Sequence, residues 1–265
     1  MCVKQTRLPN TIGGNNPAVI RIGCSGWSYQ HWRGVFYPQS GSTSRWLELY
    51  SQEFDTVEIN ATFYRLPAVK TVEAWARRTP TDFLFAVKAS RYLTHVKRLR
   101  GIVEGMKRMD ACVEPLRSAS KLGPMLWQLP PHFHREDNVL ESALDALTPG
   151  RHAFEFRDPS WFADDIYELL RQHGAALVVA DRSPGPPSPW LDTAGWSYLR
   201  FHSGRARDGN YGARELHAWA RNVTSQTGDV FAYFNNDWQG FAIANARTLR
   251  GLVRRAPSPA KTRSS

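Results

Sequence analysis

The stretch FDTVEINATFYRLPAVKTVEAWARRTPTDFLFAVK, residues 54–88, places a helical pattern between two short strand patterns. FDTVEIN and FLFAVK are rich in β-branched and aromatic residues, whereas AVKTVEAWARR repeats its apolar residues at helical spacing. A strand, a helix and a second strand in this order are typical of a parallel βαβ unit. This stretch therefore predicts a parallel sheet.

The same alternation runs from residue 19 to residue 253. The other strand patterns are VIRIGCS, PMLWQL, HAFEFR, AALVVAD, WSYLRFH and DVFAYFNN. Eight units of roughly 30 residues predict a single-domain (β/α)₈ TIM barrel over residues 19–254. An open doubly wound sheet is the alternative, but no G-x-G-x-x-G motif follows the first strand pattern. Residues 1–18 and 255–265 are expected to be flexible tails.

Composition excludes several classes of protein. The longest apolar run, residues 175–180, is far shorter than the roughly 20 residues that a membrane-spanning helix needs. The N-terminus lacks the apolar segment of a secretory signal. Cys2, Cys24 and Cys112 are too few and too scattered for a disulfide framework or a C-x-x-C metal site. We therefore expect a cytoplasmic protein with no membrane partner.

The formal net charge of +10 is unevenly distributed along the chain. Residues 1–18 and 254–265 carry six of these charges, and residues 84–108 carry a net charge of +6. The remainder of the chain is slightly acidic. The basic character thus belongs to the two ends and one internal segment, and does not by itself indicate a nucleic-acid-binding protein.

Polar residues stand at the carboxyl ends of the predicted strands, where the active sites of barrels lie. Side chains of a barrel strand alternate between the interior and the helix layer. The residues expected to face the interior at this end are Ser25, Glu58, Asn60, Lys88, Gln128, Glu155, Arg157, Asp181, Arg200, His202 and Asn235 or Asn236. A purely structural barrel would fill these positions with Val, Ile and Leu. We therefore predict a ligand site at this mouth.

Three of these residues, Glu58, Glu155 and Arg200, predict a buried ion-pair network, because a buried charge is tolerated only when it is paired. Shared layer parity makes Glu155 and Arg200 the expected partners. The functional alternative is a sugar-active enzyme with a pair of catalytic carboxylates. Against it, the neighbouring cations would keep both acids ionised and leave no proton donor.

A cationic mouth is predicted from Lys88, Arg91, Lys97, Arg98, Arg157 and Arg200, together with His202. Arg and Lys side chains match phosphate groups. His95, which follows the third strand, is expected to orient a ligand or to cap the loop. The expected partner is an anionic small molecule or nucleic acid. If the ligand is hydrolysed, Asp181 or Glu58 is the expected base and His202 the acid or base. A non-catalytic nucleotide- or nucleic-acid-binding module is the alternative.

Further candidates complete the site. The aromatic residues Trp27 and Tyr64 follow the first two strands and suit stacking on a base or sugar ring. Asn236 and Asp237 follow the last strand as candidate ligand-binding residues. Asp181, His202, Glu155 and His95 could hold a divalent metal, but Lys88 and Arg157 would compete with a cation. A metal is therefore not favoured, and the cofactor is left unassigned.

Successive segments of the chain also resemble a known family. They are IGCSGWSYQHWRGVFYP, FDTVEINATFYRLP, FLFAVKASRYLTH, LGPMLWQLPPHF, FEFRDPSWF, YLRFHS and FAYFNND. In this order they resemble the YecE-like domain-of-unknown-function family, number seventy-two of its series, over about residues 20–253. The resemblance implies a TIM-type barrel of bacterial and archaeal cytoplasm without an established activity. A suggested distant similarity of that family to endonuclease IV and xylose-isomerase barrels points toward nucleic acid or sugars. Ser203 departs from the family, which usually has Gly there.

Overall fold

A closed ring of parallel strands forms the centre of the molecule in the computed structural model, which describes residues 18–181 and 188–256. The strands are β1 (Ile20–Cys24), β2 (Thr56–Ile59), β3 (Leu84–Lys88), β4 (Leu122–Gln128), β5 (His152–Glu155), β6 (Ala176–Ala180), β7 (Ser197–Phe201) and β8 (Val230–Phe234). They pair in the order β1-β8-β7-β6-β5-β4-β3-β2, and an isolated bridge between Ser25 and Glu58 joins the two ends. The predicted single-domain (β/α)₈ barrel is confirmed.

Helices surround this ring. They are α1 (Trp46–Glu53), α2 (Ala61–Tyr64), α3 (Val69–Arg77), α4 (Val103–Ser118), α5 (Asp137–Asp145), α6 (Asp164–Gln172), α7 (Ala213–Thr224) and α8 (Phe241–Arg255). Between β6 and β7, the described residues 188–196 form no helix. The two predicted tails, apart from their innermost residues, lie outside the described residues. Throughout the described part of the chain, no helix is long and apolar enough to cross a membrane.

The hydrophobic core has two layers, because alternate side chains of each strand point to opposite sides. The larger layer lies between strands and helices and includes Val57, Phe154 and Leu199. The smaller layer fills the barrel interior. Its buried members are Ala86, Leu126, Ala153, Ala176, Val178, Trp196, Tyr198, Phe231 and Tyr233. These interior residues fix the direction in which the next alternate residue of each strand points.

The contact between β1 and β2 closes the barrel without a regular ladder of hydrogen bonds. The Tyr50 hydroxyl on α1 accepts a hydrogen bond from the Cys24 backbone N–H at 2.8 Å and donates one to the Thr56 carbonyl oxygen at 3.1 Å. The strands approach so closely that a Cβ at Gly23 would lie 2.2 Å from that same oxygen. A side chain from the helix layer thus supplies the bridge that backbone groups supply elsewhere.

We expect Tyr50→Phe to lower the free energy of unfolding by about 1–3 kcal/mol, because it leaves two buried backbone groups without a partner. The measurement is urea denaturation. Tyr167→Phe is the matched control, since Tyr167 is buried on α6 and its hydroxyl makes no hydrogen bond within the described residues. Equal effects of the two substitutions would show that the hydroxyl bridge does not stabilise the closure.

Candidate functional site

Three charged residues from β2, β5 and β7 meet inside the barrel. These strands are not neighbours in the ring, so their contacts cross the interior. Arg200 donates from Nε to Glu58 Oε2 at 2.9 Å and from Nη2 to Glu58 Oε1 at 2.7 Å. Its Nη1 donates to Glu155 Oε2 at 2.6 Å. The predicted pairing of Glu155 with Arg200 is confirmed, and Glu58 is a second partner.

Neutral donors complete the environment of Glu58. The Ser25 hydroxyl donates to its Oε1 at 2.5 Å, and the Tyr198 hydroxyl donates to its Oε2 at 2.8 Å. Both oxygens of this carboxylate are therefore occupied, and the residue is 0% exposed. Tyr198 was not predicted from the sequence, although it has the same strand parity as Arg200 and its hydroxyl needs a buried partner.

The charges of the network control the protonation of its acids. Burial by itself would raise the pKa of Glu58, but Arg200 and the hydrogen bond from Ser25 outweigh it and hold the pKa below its usual value. For Glu155, burial is likewise outweighed by Arg200, His202 and Arg157, which hold its pKa well below the usual range. Both groups are carboxylates at neutral pH, and neither can serve as a proton donor.

This arrangement corrects three predicted roles. Ser25, Glu58 and Arg200 are all buried, and their polar atoms are engaged with one another. A ligand at the mouth therefore does not meet the Glu58 carboxylate as a base or the Arg200 guanidinium as an anion site. Sequence parity indicates that a side chain faces the interior, but not that it lies below the residues which a ligand can reach.

A second layer of polar residues lies above the network, one alternate position further along the strands. Arg157 donates from Nε to Glu155 Oε1 at 3.0 Å. The Nε2 atom of His202 lies 3.3 Å from the same oxygen, although it makes no hydrogen bond among the described residues. The exposed Asn235 places its Nδ2 atom 3.3 Å from His202 Nδ1. With the amide in this orientation, a neutral His202 carries its proton on Nε2, toward Glu155.

Lys88 belongs to this upper layer and lies against an aromatic ring. Its Nζ atom is 4.2 Å from the centre of the Phe63 ring. The Thr62 hydroxyl donates to the carbonyl oxygens of Ile59 and Lys88, at 3.1 and 2.7 Å, and so ties the start of α2 to the end of β3. This local structure brings Phe63 beneath the amine, a role that strand parity could not predict.

His95 packs on the same ring from the turn that follows β3. The His95 and Phe63 ring centres are 5.0 Å apart. Burial, followed by the charges of Lys88, Arg91 and Arg157, lowers the pKa of His95 to about 4. His95 is therefore neutral at pH 7, and the positive charge of the mouth rests on the lysine and arginine side chains.

Three further predicted residues remain at the mouth. Asn60 follows β2, and its Oδ1 atom is buried with no hydrogen-bond partner in the described residues. Gln128 ends β4 opposite Glu155, with its side chain on the interior side as for Leu126. Tyr64 is 80% exposed at the rim and contacts the Phe63 ring edge-on. An unsatisfied acceptor and an open aromatic face are both suited to a ligand.

Asp181 does not face the interior, which corrects its predicted role as a base at the mouth. Ala176 and Val178 are the interior residues of β6, so the odd-numbered positions point toward the helix layer. The Asp181 carboxylate accepts hydrogen bonds from the His202 backbone N–H, at 2.9 Å, and from the Tyr211 hydroxyl. It lines a cavity beside Trp219 of α7. The uniformly apolar AALVVA stretch offers no polar residue by which to set its parity.

Trp27, Asn236 and Asp237 make contacts beyond the strand ends, and their predicted roles in ligand binding stay predictions. Trp27 packs edge-on against Trp75 of α3 at 5.2 Å between ring centres. Asn236 is buried and donates to the Gly209 carbonyl oxygen. Asp237 accepts hydrogen bonds from the Trp32 indole at 2.9 Å and pairs with His31. These residues lie beyond the strand ends, where strand alternation no longer sets direction.

The metal alternative required Asp181, His202, Glu155 and His95 to converge. Asp181 points toward the helix layer, and Glu155 is already paired with Arg200 and Arg157. In residues 18–181 and 188–256, no group of three or more His, Cys, Asp or Glu side chains is arranged to hold a metal ion.

Comparison with known proteins identifies relatives over most of the chain. Residues 21–264 match the family described as "Protein of unknown function DUF72". The UPF0759 protein YunF of Bacillus subtilis is 28% identical in an alignment 271 residues long, which covers 89% of this chain and 95% of YunF. The UPF0759 protein YecE of Escherichia coli K12 is 33% identical over 63% of this chain and 60% of YecE. The crystal structure of a DUF72 family protein from Thermotoga maritima superposes with a TM-score of 0.80 at 30% identity, and covers 89% of this chain and 99% of its own.

We expect Arg200→Met to lower the free energy of unfolding by about 3–5 kcal/mol, because it leaves two buried carboxylates without their main partner. The matched control is Arg205→Met, whose side chain is 83% exposed and whose loss should cost under about 0.5 kcal/mol. Urea denaturation at pH 7 measures both. Tyr198→Phe, which removes one donor to Glu58, provides a milder variant with a loss of about 1–3 kcal/mol.

The same variant should reverse the dependence of stability on pH. In the intact protein, both folded pKa values lie below the unfolded value of about 4.3, so the stabilisation is present above that pH and is lost as pH falls through the folded values. Without Arg200, burial should raise the folded pKa values above the unfolded one. Arg200→Met should then be more stable at pH 5 than at pH 7. A variant less stable at pH 5 would contradict the assigned electrostatics.

Proposed function

This chain belongs to the DUF72 family, whose function is not established, and we propose that its barrel mouth binds a phosphate-bearing ligand. The ligand class includes nucleotides, sugar phosphates and nucleic acid. The proposal rests on the upper polar layer of the mouth, defined by Lys88, Arg157, His95, His202 and Asn235. The network beneath it supports this layer but does not take part in binding.

The Arg157 guanidinium is the observation that carries the proposal. Its Nε atom is engaged with Glu155, while neither terminal nitrogen has a hydrogen-bond partner among the described residues. Its side chain remains 14% exposed. A guanidinium held by one nitrogen presents its other donors in a fixed orientation, and this fork matches two oxygens of a phosphate group.

The balance of charge at the mouth also favours an anion. Glu58 and Glu155 carry two negative charges, whereas Lys88, Arg157 and Arg200 carry three positive ones when Lys88 is protonated. Below the surface, Glu58 is paired with Arg200, and Glu155 is paired with Arg200 and Arg157. The excess positive charge therefore lies with the side chains nearest the opening. Low solvent exposure strengthens their attraction for an anion.

Hydrolysis by a carboxylate base draws no support from these positions, because Glu58 is buried and Asp181 faces the helix layer. A sugar-active enzyme with paired carboxylates is disfavoured for a related reason, since both acids have lowered pKa values and neither supplies a proton. His202 remains the candidate acid or base. The proposal is accordingly one of ligand binding.

We expect Arg157→Gln to weaken the binding of phosphate monoesters at least about tenfold, because a hydrogen bond to a charged group contributes about 1.5–3 kcal/mol. The measurement is isothermal titration calorimetry with a nucleoside monophosphate and a sugar monophosphate, each paired with its dephosphorylated form. Arg77→Gln on the exposed face of α3 is the control and should leave binding unchanged. Equal affinity for phosphorylated and dephosphorylated compounds would contradict the proposal.

A nucleic-acid-binding module is the second candidate, and the exposed aromatic residues of the rim favour it. Tyr64 and Tyr92 are 80% and 50% exposed, at α2 and at the turn after β3. The Lys97 amine lies 5.8 Å from the centre of the Tyr92 ring. Exposed rings beside a cationic mouth are suited to stacking on unpaired bases. In this alternative, a nucleic acid is the ligand whose phosphate group occupies the same site.

Deletion of residues 1–17 and 257–265 separates binding at the mouth from binding by the basic ends, and it leaves Arg254 and Arg255 in α8. If the mouth binds, the shortened protein should retain its affinity for a fluorescent single-stranded oligonucleotide. Lys88→Gln with Arg157→Gln should weaken binding and reduce the slope of affinity against salt by about 1.4, because two contacts to single-strand phosphates are lost. Loss of all binding on deletion, with the double variant unaffected, would assign the affinity to the ends.

A further inference from the structure

Two buried lysines with different surroundings occur in the described residues, Lys88 and Lys121. The Lys121 amine donates to the carbonyl oxygens of Ala76 and Thr79, both at 2.6 Å, and to the Thr79 hydroxyl at 3.1 Å. Three acceptors are the full capacity of an ammonium group. Lys121 is therefore a structural cation at the opposite end of the barrel from the mouth.

Lys88 lacks this support. Its amine makes no hydrogen bond or ion pair with any described residue, and its nitrogen lies 4.2 Å from the centre of the Phe63 ring. Although the Lys88 amine has no hydrogen-bond partner in the described part of the chain, it is not fully buried, so solvent reaches it from the mouth. An amine that is open to the mouth and is not held by acceptors can approach a ligand directly.

Its surroundings raise the neutral fraction of the amine above that of an exposed lysine, while the protonated form still predominates at pH 7. Burial is the main cause that lowers the pKa of Lys88 to about 8; Arg200 and Arg157 add to the effect, while Glu58 and Glu155 oppose it. An amine with its ordinary pKa of about 10.4 is almost wholly protonated at pH 8, and a protonated amine has no lone pair for attack. Lys88 therefore holds roughly a hundredfold larger neutral fraction at this pH than an exposed lysine.

We propose that Lys88 is a nucleophile that forms an imine with an aldehyde or ketone bearing a phosphate group. This inference rests on the proposed phosphate site and names its substrate class. Arg157 of the same upper layer, whose charge is near enough to act on Lys88, would bind the phosphate and leave the carbonyl carbon to the amine. A lysine in a desolvated site beside other cations is a recognised means of activating an amine for this chemistry.

The chemical step balances without a further reagent. The lone pair of the Lys88 nitrogen forms a bond to the carbonyl carbon while the C=O π electrons move to oxygen. A proton passes from nitrogen to that oxygen and gives a carbinolamine. The hydroxyl group then leaves with the second nitrogen proton as water, and a C=N bond remains.

The test uses pyridoxal 5′-phosphate as a probe, because it carries both an aldehyde and a phosphate. The full chain is incubated with it at pH 8 and then treated with sodium borohydride. Hydride adds to the imine carbon and a proton adds to nitrogen, which leaves a stable secondary amine. Peptide mass mapping locates the adduct. Lys88 should be labelled at least about tenfold faster than the exposed Lys70, in line with its larger neutral fraction.

Several controls distinguish the parts of the proposal. Lys121 should stay unlabelled, which shows that burial alone does not cause reaction. Lys88→Arg should lose the adduct while keeping the positive charge, and Lys107→Arg should keep it. The labelling rate of Lys88 should rise with an inflection near pH 8. Inorganic phosphate should protect Lys88, and pyridoxal without phosphate should label it more slowly.

Two results would overturn the inference, and they differ from failure of the proposed function. If phosphate monoesters bind and depend on Arg157, but Lys88 is labelled no faster than Lys70, the phosphate site stands and the imine is refuted. If Lys88 reacts rapidly but pyridoxal labels it as fast as the phosphate form, without protection by inorganic phosphate, the phosphorylated substrate class is refuted.

Discussion

Arg200 connects strands on opposite sides of the barrel, because its three nitrogens reach Glu58 on β2 and Glu155 on β5. Two carboxylates inside a barrel would repel each other and strongly favour protonation. The guanidinium between them offsets their repulsion and lets both carboxylates remain ionised. The positions of Ser25, Tyr198 and Arg157 depend on this contact, since Ser25 and Tyr198 donate to Glu58 and Arg157 donates to Glu155.

The network also determines what the mouth presents to solvent. Glu155 uses its two oxygens for Arg200 and Arg157, and so it orients the Arg157 guanidinium while neutralising part of its charge. Glu58 and Glu155 are thereby paired below the opening, and cationic and neutral groups occupy the opening itself. The negative charges of the barrel thus lie deeper than the cationic groups nearest the opening.

The sequence predicted the fold and the direction of most interior residues, because these depend on local periodicity. Strand parity correctly indicated that Glu58, Lys88 and Arg200 face the interior. It was wrong for Asp181, where an apolar strand lacked a polar residue to set the register. It could not distinguish a side chain that ligand can reach from one whose hydrogen bonds are already made. That distinction depends on contacts between β2, β5 and β7, which are distant in sequence.

The Lys88 environment was likewise beyond sequence reasoning. A lysine at the end of a barrel strand is visible in FLFAVK, but the absence of oxygen acceptors around its amine within the described residues is a property of the folded chain. Phe63 reaches it only because Thr62 ties α2 to β3. Lys121, which has the same residue type and similar burial, differs in having three oxygen acceptors around its amine.

The closure of the barrel has a consequence for the order in which the chain folds. β1 is the first strand to leave the ribosome, and its ladder partner β8 is the last. Toward β2 it has a single bridge, the Tyr50 hydroxyl and side-chain hydrogen bonds from Ser25 to Glu58 and from Arg21 to Asp55. The first strand synthesised thus gains most of its interstrand hydrogen bonds only after the last one is made, and such long-range pairing is slow to form. During synthesis, α1 and its tyrosine are the elements available to hold β1 beside the growing sheet.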